Sequence, residues 1–174
     1  MSLVQISGNA SGTGTLTIAA PNTNSNYTLT LPQTTATLNV NGPAFSAYLG
    51  ASQTVSNATW TKVQLSAEVF DTNSNFDSTT NYRFTPTVAG YYQLNLCWLV
   101  NAVSTAIQLA IYKNGSSFLI PAQTAAATSA VSGSVLVYAN GSTDYFEFYV
   151  NLAVGETHPL STNCFFQGSM VRGA

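Results

Sequence analysis

From Phe45 onward the chain alternates. Phe146, Phe148 and Val150 fall on one face of their segment, and Tyr145, Glu147 and Tyr149 on the other. This period of two marks a strand buried on one side. KVQLSAEVF (62–70), YRFTPT (82–87), YYQLNLCWLVN (91–101) and AIQLAIYKNG (106–115) read as further strands. So do FLIPA (118–122), GSVLVYANG (133–141), DYFEFYVNL (144–152) and CFFQGSMV (164–171). They follow at short, regular spacing with turn residues between them, and no longer segment carries a 3.6-residue apolar stripe. Asn114-Gly115 and Asn140-Gly141 read as hairpin turns, because a type I′ turn needs positive φ at both central residues. The pattern predicts an all-β, antiparallel sandwich, jelly roll or barrel.

Residues 1–42 are patterned differently. Two short alternating runs, Thr15–Ile18 and Tyr27–Leu31, lie among turn-forming stretches rich in Gly, Pro, Asn and Ser. Two short strands make no independent core, so this β-rich segment is expected to order by pairing with other copies of itself or with a preceding part of a longer protein. Asn39–Pro43 reads as a linker. The expected division is an N-terminal attachment segment, 1–42, and a sandwich domain, 43–174.

Composition narrows the function. Four cations and six carboxylates make 6% of the 174 residues, where an ordinary soluble domain carries about 25%. Four cations cannot neutralise the phosphates of a nucleic-acid partner. No apolar run approaches the ~20 residues of a spanning helix, so membrane insertion is not expected. Nine Tyr and nine Phe carry too much apolar surface for a disordered chain. Cys97 and Cys164 sit within strand-like runs and read as two unpaired buried thiols, with a disulfide as the alternative. His158 is the single histidine and there is no CxxC, so zinc would lack a fourth ligand. The first residues carry no basic or apolar signal-peptide region, and the Asn-x-Ser/Thr sequons read as a by-product of composition.

Phe70, Phe76-Asp77, Phe84, Pro86 and Gly90-Tyr91-Tyr92 stand in an order that resembles the signature of the globular head of complement component 1q. That family shares the tumour-necrosis-factor-type jelly roll. Pro43–Ala47 looks like its first strand, and Lys113–Gly115, Ser132–Leu136 and Phe166–Ser169 follow in matching order. Leu94 and Leu96 replace aromatics usual in the family, Asn140–Asp144 is a longer turn, and no collagen stalk precedes the head. Residues 14–38 are instead similar to Thr/Asn-rich pieces found before the distal domains of bacteriophage tail fibres. The resemblance implies a jelly roll over 43–174 that assembles as a homotrimer. Phe45, Tyr92, Trp98, Phe148 and Phe166 are the candidates for its core or its threefold interface.

Catalysis is not expected, because one histidine removes most nucleophilic triads. Glu147 could act as an acid, but reads better as a solvent-facing or interface carboxylate, and His158 as an exposed loop residue. Asp71, Asn73, Asn75 and Asp77 offer hard oxygens at calcium-loop spacing, and the same spacing suits Asx turns. No other cofactor is expected. The loops 72–76, 99–106, 121–130 and 152–163 are the expected variable tips, with Asn73, Asn75, Phe76, Asn101, Gln123 and His158 as receptor-binding candidates. Amide- and hydroxyl-rich surfaces suit saccharides or an outer-membrane protein, and a trimer adds avidity. The expected role is a non-enzymatic adhesive module of a phage tail fibre, located in the virion, joined to other tail proteins through residues 1–42. The alternatives are a virion scaffold or decoration protein without receptor role, and a polysaccharide depolymerase tip.

Overall fold

The computed structural model describes residues 42–104, 106–125 and 127–174, together with 11–14, 17, 24, 26 and 28. The chain divides into two compact units, Met1–Ala36 and Thr37–Ala174. The two strands expected at Thr15–Ile18 and Tyr27–Leu31 lie outside the described residues, apart from Thr17 and Thr28.

The larger unit is built of strands alone among the described residues. In chain order they are β1 (Ala44–Leu49), β2 (Gln53–Val55), β3 (Thr61–Lys62), β4 (Ala67–Asp71), β5 (Phe76–Asp77), β6 (Arg83–Phe84), β7 (Gly90–Ser104), β8 (Ile107–Lys113), β9 (Ser116–Thr124), β10 (Thr128–Ala139), β11 (Phe146–Leu152), β12 (Glu156–His158) and β13 (Ser161–Gly173). The first sheet has the order β10-β7-β13-β1-β4, and the second β5-β6-β11-β8-β9, with β3 also on β11. A small ribbon joins β12 to β2. Every pairing between these strands is antiparallel.

The alternation read from sequence sets the core. Inward-facing Leu94, Leu96 and Trp98 of β7 meet Phe146, Phe148 and Val150 of β11 across the sandwich, all buried. Phe45 stacks on Phe84 and Phe76, with centroids 4.3 and 5.0 Å away, and meets Phe166 edge-on at 5.0 Å. Stacked and edge-on pairs of this kind add about 0.5–1.5 kcal/mol each beyond area burial. Phe45, Tyr92, Trp98, Phe148 and Phe166 are all essentially inaccessible within one copy. They are core residues.

Several expected boundaries move. Residues 62–70 are two strands, because β3 pairs with β11 in the second sheet and β4 with β1 in the first. The chain changes sheets between them, burying Val63 and Leu65. Residues 99–106 are mostly strand, the end of β7 and the approach to β8. In 121–130 only residues 125–127 lie between β9 and β10.

The two Asn-Gly pairs also part company. Asn114 and Gly115 have φ of 54° and 78°, as a type I′ turn between β8 and β9 requires. Of the second pair, only Gly141 has positive φ. That segment is no hairpin, since β10 and β11 belong to different sheets. Its loop is closed instead by Asn140 Oδ1, which accepts from the N–H groups of Ser142, Thr143 and Asp144, each at 3.0 Å.

Candidate functional site

The acidic and amide residues of the 71–81 region close turns. Asp71 accepts from the N–H of Asn73 and, at 2.6 Å, of Phe76. Asp77 accepts from the N–H groups of Thr79, Thr80 and Asn81 and from the Asn81 side chain. The backbone N–H groups of Thr80 and Thr79 hold its carboxyl well below the usual carboxylate range. Asn75, itself buried, bridges Asn73 O and Thr87. The four calcium-loop residues are therefore engaged with protein donors and acceptors. Among the described residues no group of three or more His, Cys, Asp or Glu is placed to share a metal ion.

Of the receptor-loop candidates, Asn73, Asn101 and Gln123 are exposed. Asn75, Phe76 and His158 are not. Phe76 packs on Phe45, because its strand edges the sandwich with the ring turned inward. His158 is 2% exposed, edge-on to Trp98 at 5.1 Å, with Nδ1 2.7 Å from Pro159 O and Nε2 3.7 Å from Cys164 Sγ. The β2–β12 ribbon carries it under the end of the core. Asn101 joins that region, its N–H donating to Glu156 Oε2 and its side chain to Thr157 O, both at 2.9 Å. Asn73 sits in the loop between β4 and β5, and Gln123 on β9 at the opposite edge of the second sheet from β5, so the exposed candidates form no single cluster along the strand order.

Cys97 and Cys164 are both free thiols. Burial pushes Cys164 up to about 11 and also raises Cys97, which disfavours the thiolate a nucleophile needs.

Two surfaces stand out in their place. The first is the outer face of the second sheet, on which Tyr145, Glu147 and Tyr149 of β11 project. Glu147 is not solvent-facing: it is 4% exposed and its Oε1 lies 2.5 Å from Lys62 Nζ. Around it stand half-buried rings. Tyr112 and Tyr149 stack at 3.8 Å, Trp60 meets Tyr112 at 6.4 Å, and the Arg83 guanidinium lies 4.2 Å from the centre of the Tyr145 ring. Burial, then the nearby Glu147 charge, raises the Tyr149 phenol, keeping it a neutral hydrogen-bond donor.

The second surface is an apolar edge where the two sheets approach through β9 and β10. Phe118, Leu119 and Ile120 on β9 and Leu136 and Tyr138 on β10 are exposed. Lys113 ties the two strands, donating to Tyr138 O at 3.0 Å with its ammonium 5.9 Å from the Phe118 ring, and Tyr91 meets Tyr138 at 5.5 Å. On the outer face of the first sheet a shallow notch of about 170 Å³ opens between Phe70, Asn95, Gln167 and Ser169. Gly168 forms its floor, where a Cβ would fall 2.6 Å from Leu94 Cδ2.

No family model matches the chain, and no curated protein sequence matches it. Solved structures do. Murine APRIL is similar over 75% of this chain and 99% of its own, with a TM-score of 0.59 and 10% identity. The globular domain of zebrafish complement 1qA matches 76% of this chain and 99% of its own, with a TM-score of 0.55 and 18% identity. The PRD1 vertex protein P5 matches 77% and 99%, with a TM-score of 0.56 and 15% identity. The chain thus has the jelly-roll fold of the complement 1q and tumour-necrosis-factor type, as the resemblance implied.

Proposed function

We propose that this chain is a non-enzymatic virion protein, the distal module of a phage tail fibre, which works as a homotrimer and binds the host cell surface. The apolar β9–β10 edge carries this reading. Phe118, Leu119, Ile120, Leu136 and Tyr138 leave apolar side chains exposed on two neighbouring strands, and exposed apolar surface of this kind marks an interaction site. Three copies around a threefold axis would cover it, each edge packing on the notched face of the next copy's first sheet. The fold shared with a complement head and with a phage vertex protein supports the same reading. Receptor chemistry would then sit on the polar surfaces left outside the interface, with avidity from three copies. Residues 1–42 would join the module to other tail proteins.

Light scattering of the purified chain tests the assembly, with a mass three times 18.3 kDa expected and a mass near one chain overturning it. Adsorption of the trimer to host cells, competed by host polysaccharide, tests the receptor role. The likeness to a vertex protein favours a second reading, a structural virion component with no receptor. That reading predicts a trimer that does not adsorb.

A further inference from the structure

We infer that the outer face of the second sheet is a binding site for a pyranose sugar bearing a carboxylate. The inference rests on the reading of the chain as a host-surface binder and gives that binder a site. The aromatic group there has the parts such a ligand needs. Tyr112, Tyr149 and Trp60 are half-buried rings fixed against one another, so they present apolar ring surface without an ordering cost on binding. A pyranose offers a matching patch of axial C–H groups. Beside them the phenols of Tyr112 and Tyr149 and the amides of Gln108 and Asn151, on the same face by strand register, supply donors and acceptors for sugar hydroxyls.

Arg83 adds the charge selectivity. It is the register partner of Glu147 on one side and of Asp77 on the other. Yet among the described residues it forms no ion pair: Glu147 is taken by Lys62, and Asp77 by the backbone of its own turn. The guanidinium lies instead over the Tyr145 ring, and a guanidinium not used in an ion pair can take a planar carboxylate on its N–H fork. Since Lys62 neutralises the buried Glu147 beneath, the local field does not repel an anion. In a chain of four cations, two of them locked in ion pairs, one free guanidinium beside an aromatic group is a selective feature.

Saturation-transfer NMR on the full chain, with methyl β-glucuronide and methyl β-glucoside as probes, tests the site. Both probes should receive saturation on their axial C–H protons, with the glucuronide bound about tenfold more tightly. Arg83→Gln should erase that difference, and Tyr149→Ala and Trp60→Ala should each weaken both probes, with cooperative melting confirming that the variants fold. Absence of transfer to either probe, equal binding of the two, or unchanged binding in both aromatic variants would overturn the proposal. The host-adsorption experiment separates the two ideas: adsorption that persists in Arg83→Gln and Tyr149→Ala, with no probe bound, sinks the site and leaves the receptor reading standing. Probe binding as described without adsorption supports the site and sinks the receptor reading.

Discussion

Glu147 and Lys62 form an ion pair of 2.5 Å in which the two members are unequally sheltered, the carboxylate 5% and the ammonium 31% exposed. The consequence is an asymmetry. Lys62→Met leaves a buried carboxylate without its partner and should cost about 2–3 kcal/mol, approaching the values for broken buried pairs. Glu147→Gln leaves an ammonium that can turn to water and still donate to Asn81 O, and should cost about 1 kcal/mol. Urea unfolding of the two variants measures the difference; equal costs would refute it.

Asp77 should make stability depend on acid in one direction. Its carboxyl is held below the usual range by the N–H groups of Thr80 and Thr79. A depressed carboxyl stabilises the fold above its unfolded value, about 3.9, and that contribution is lost as pH falls from there toward the folded value. Asp77→Ala should therefore destabilise by about 1–2 kcal/mol at pH 7, with the gap from the natural chain closing in strong acid.

Thiol chemistry should be silent in the folded protein. With Cys164 pushed up to about 11 and Cys97 also raised, only about a thousandth of the Cys164 thiol is ionised at pH 8. A chromogenic disulfide reagent should read two thiols in guanidinium and react far more slowly in buffer. Any residual native reaction should vanish in Cys97→Ser, because Cys97 is the half-exposed one.

Phe45 is the ring that joins the aromatic core, touching Phe76, Phe84 and Phe166. Phe45→Ala should cost about 3–5 kcal/mol. Phe118→Ala, at an exposed edge position, should cost under about 1 kcal/mol in folding within one copy. The proposed homotrimer predicts that its effect falls on association between copies, read by light scattering across a dilution series.

What could be read from the chain follows what each residue answers to. Strands β7, β8 and β11 were legible because their inward residues obey one local rule, alternation. The split of 62–70 was not, since nothing local distinguishes Val63 and Leu65 crossing between sheets from the same residues within one strand. His158 and Phe76 were misplaced for a related reason: their neighbours look like loop, and the burial comes from Trp98 and Phe45, distant in sequence. The abundance of amides and hydroxyls suggested recognition, yet Asn140 spends its side chain closing a turn, and Asn75 and Asn114 spend theirs tying backbone segments distant in sequence. The face carrying Tyr145, Glu147 and Tyr149 was visible as alternation. Its clustering with Arg83, Tyr112 and Trp60 depends on strand order, which no spacing encodes.

The position of β13 sets a condition on folding. The last of the described strands lies in the middle of the first sheet, hydrogen-bonded to β7 on one side and β1 on the other. A chain lacking these 13 residues carries two open strand edges and an uncovered Phe45, so it can neither close the sandwich nor hide its sticking surface. The first sheet closes only when β13 is present, and a chain cut before β13 should yield aggregate rather than a shortened folded protein. Copies cut before β13 would accordingly be removed by their own aggregation, with no separate proofreading factor required.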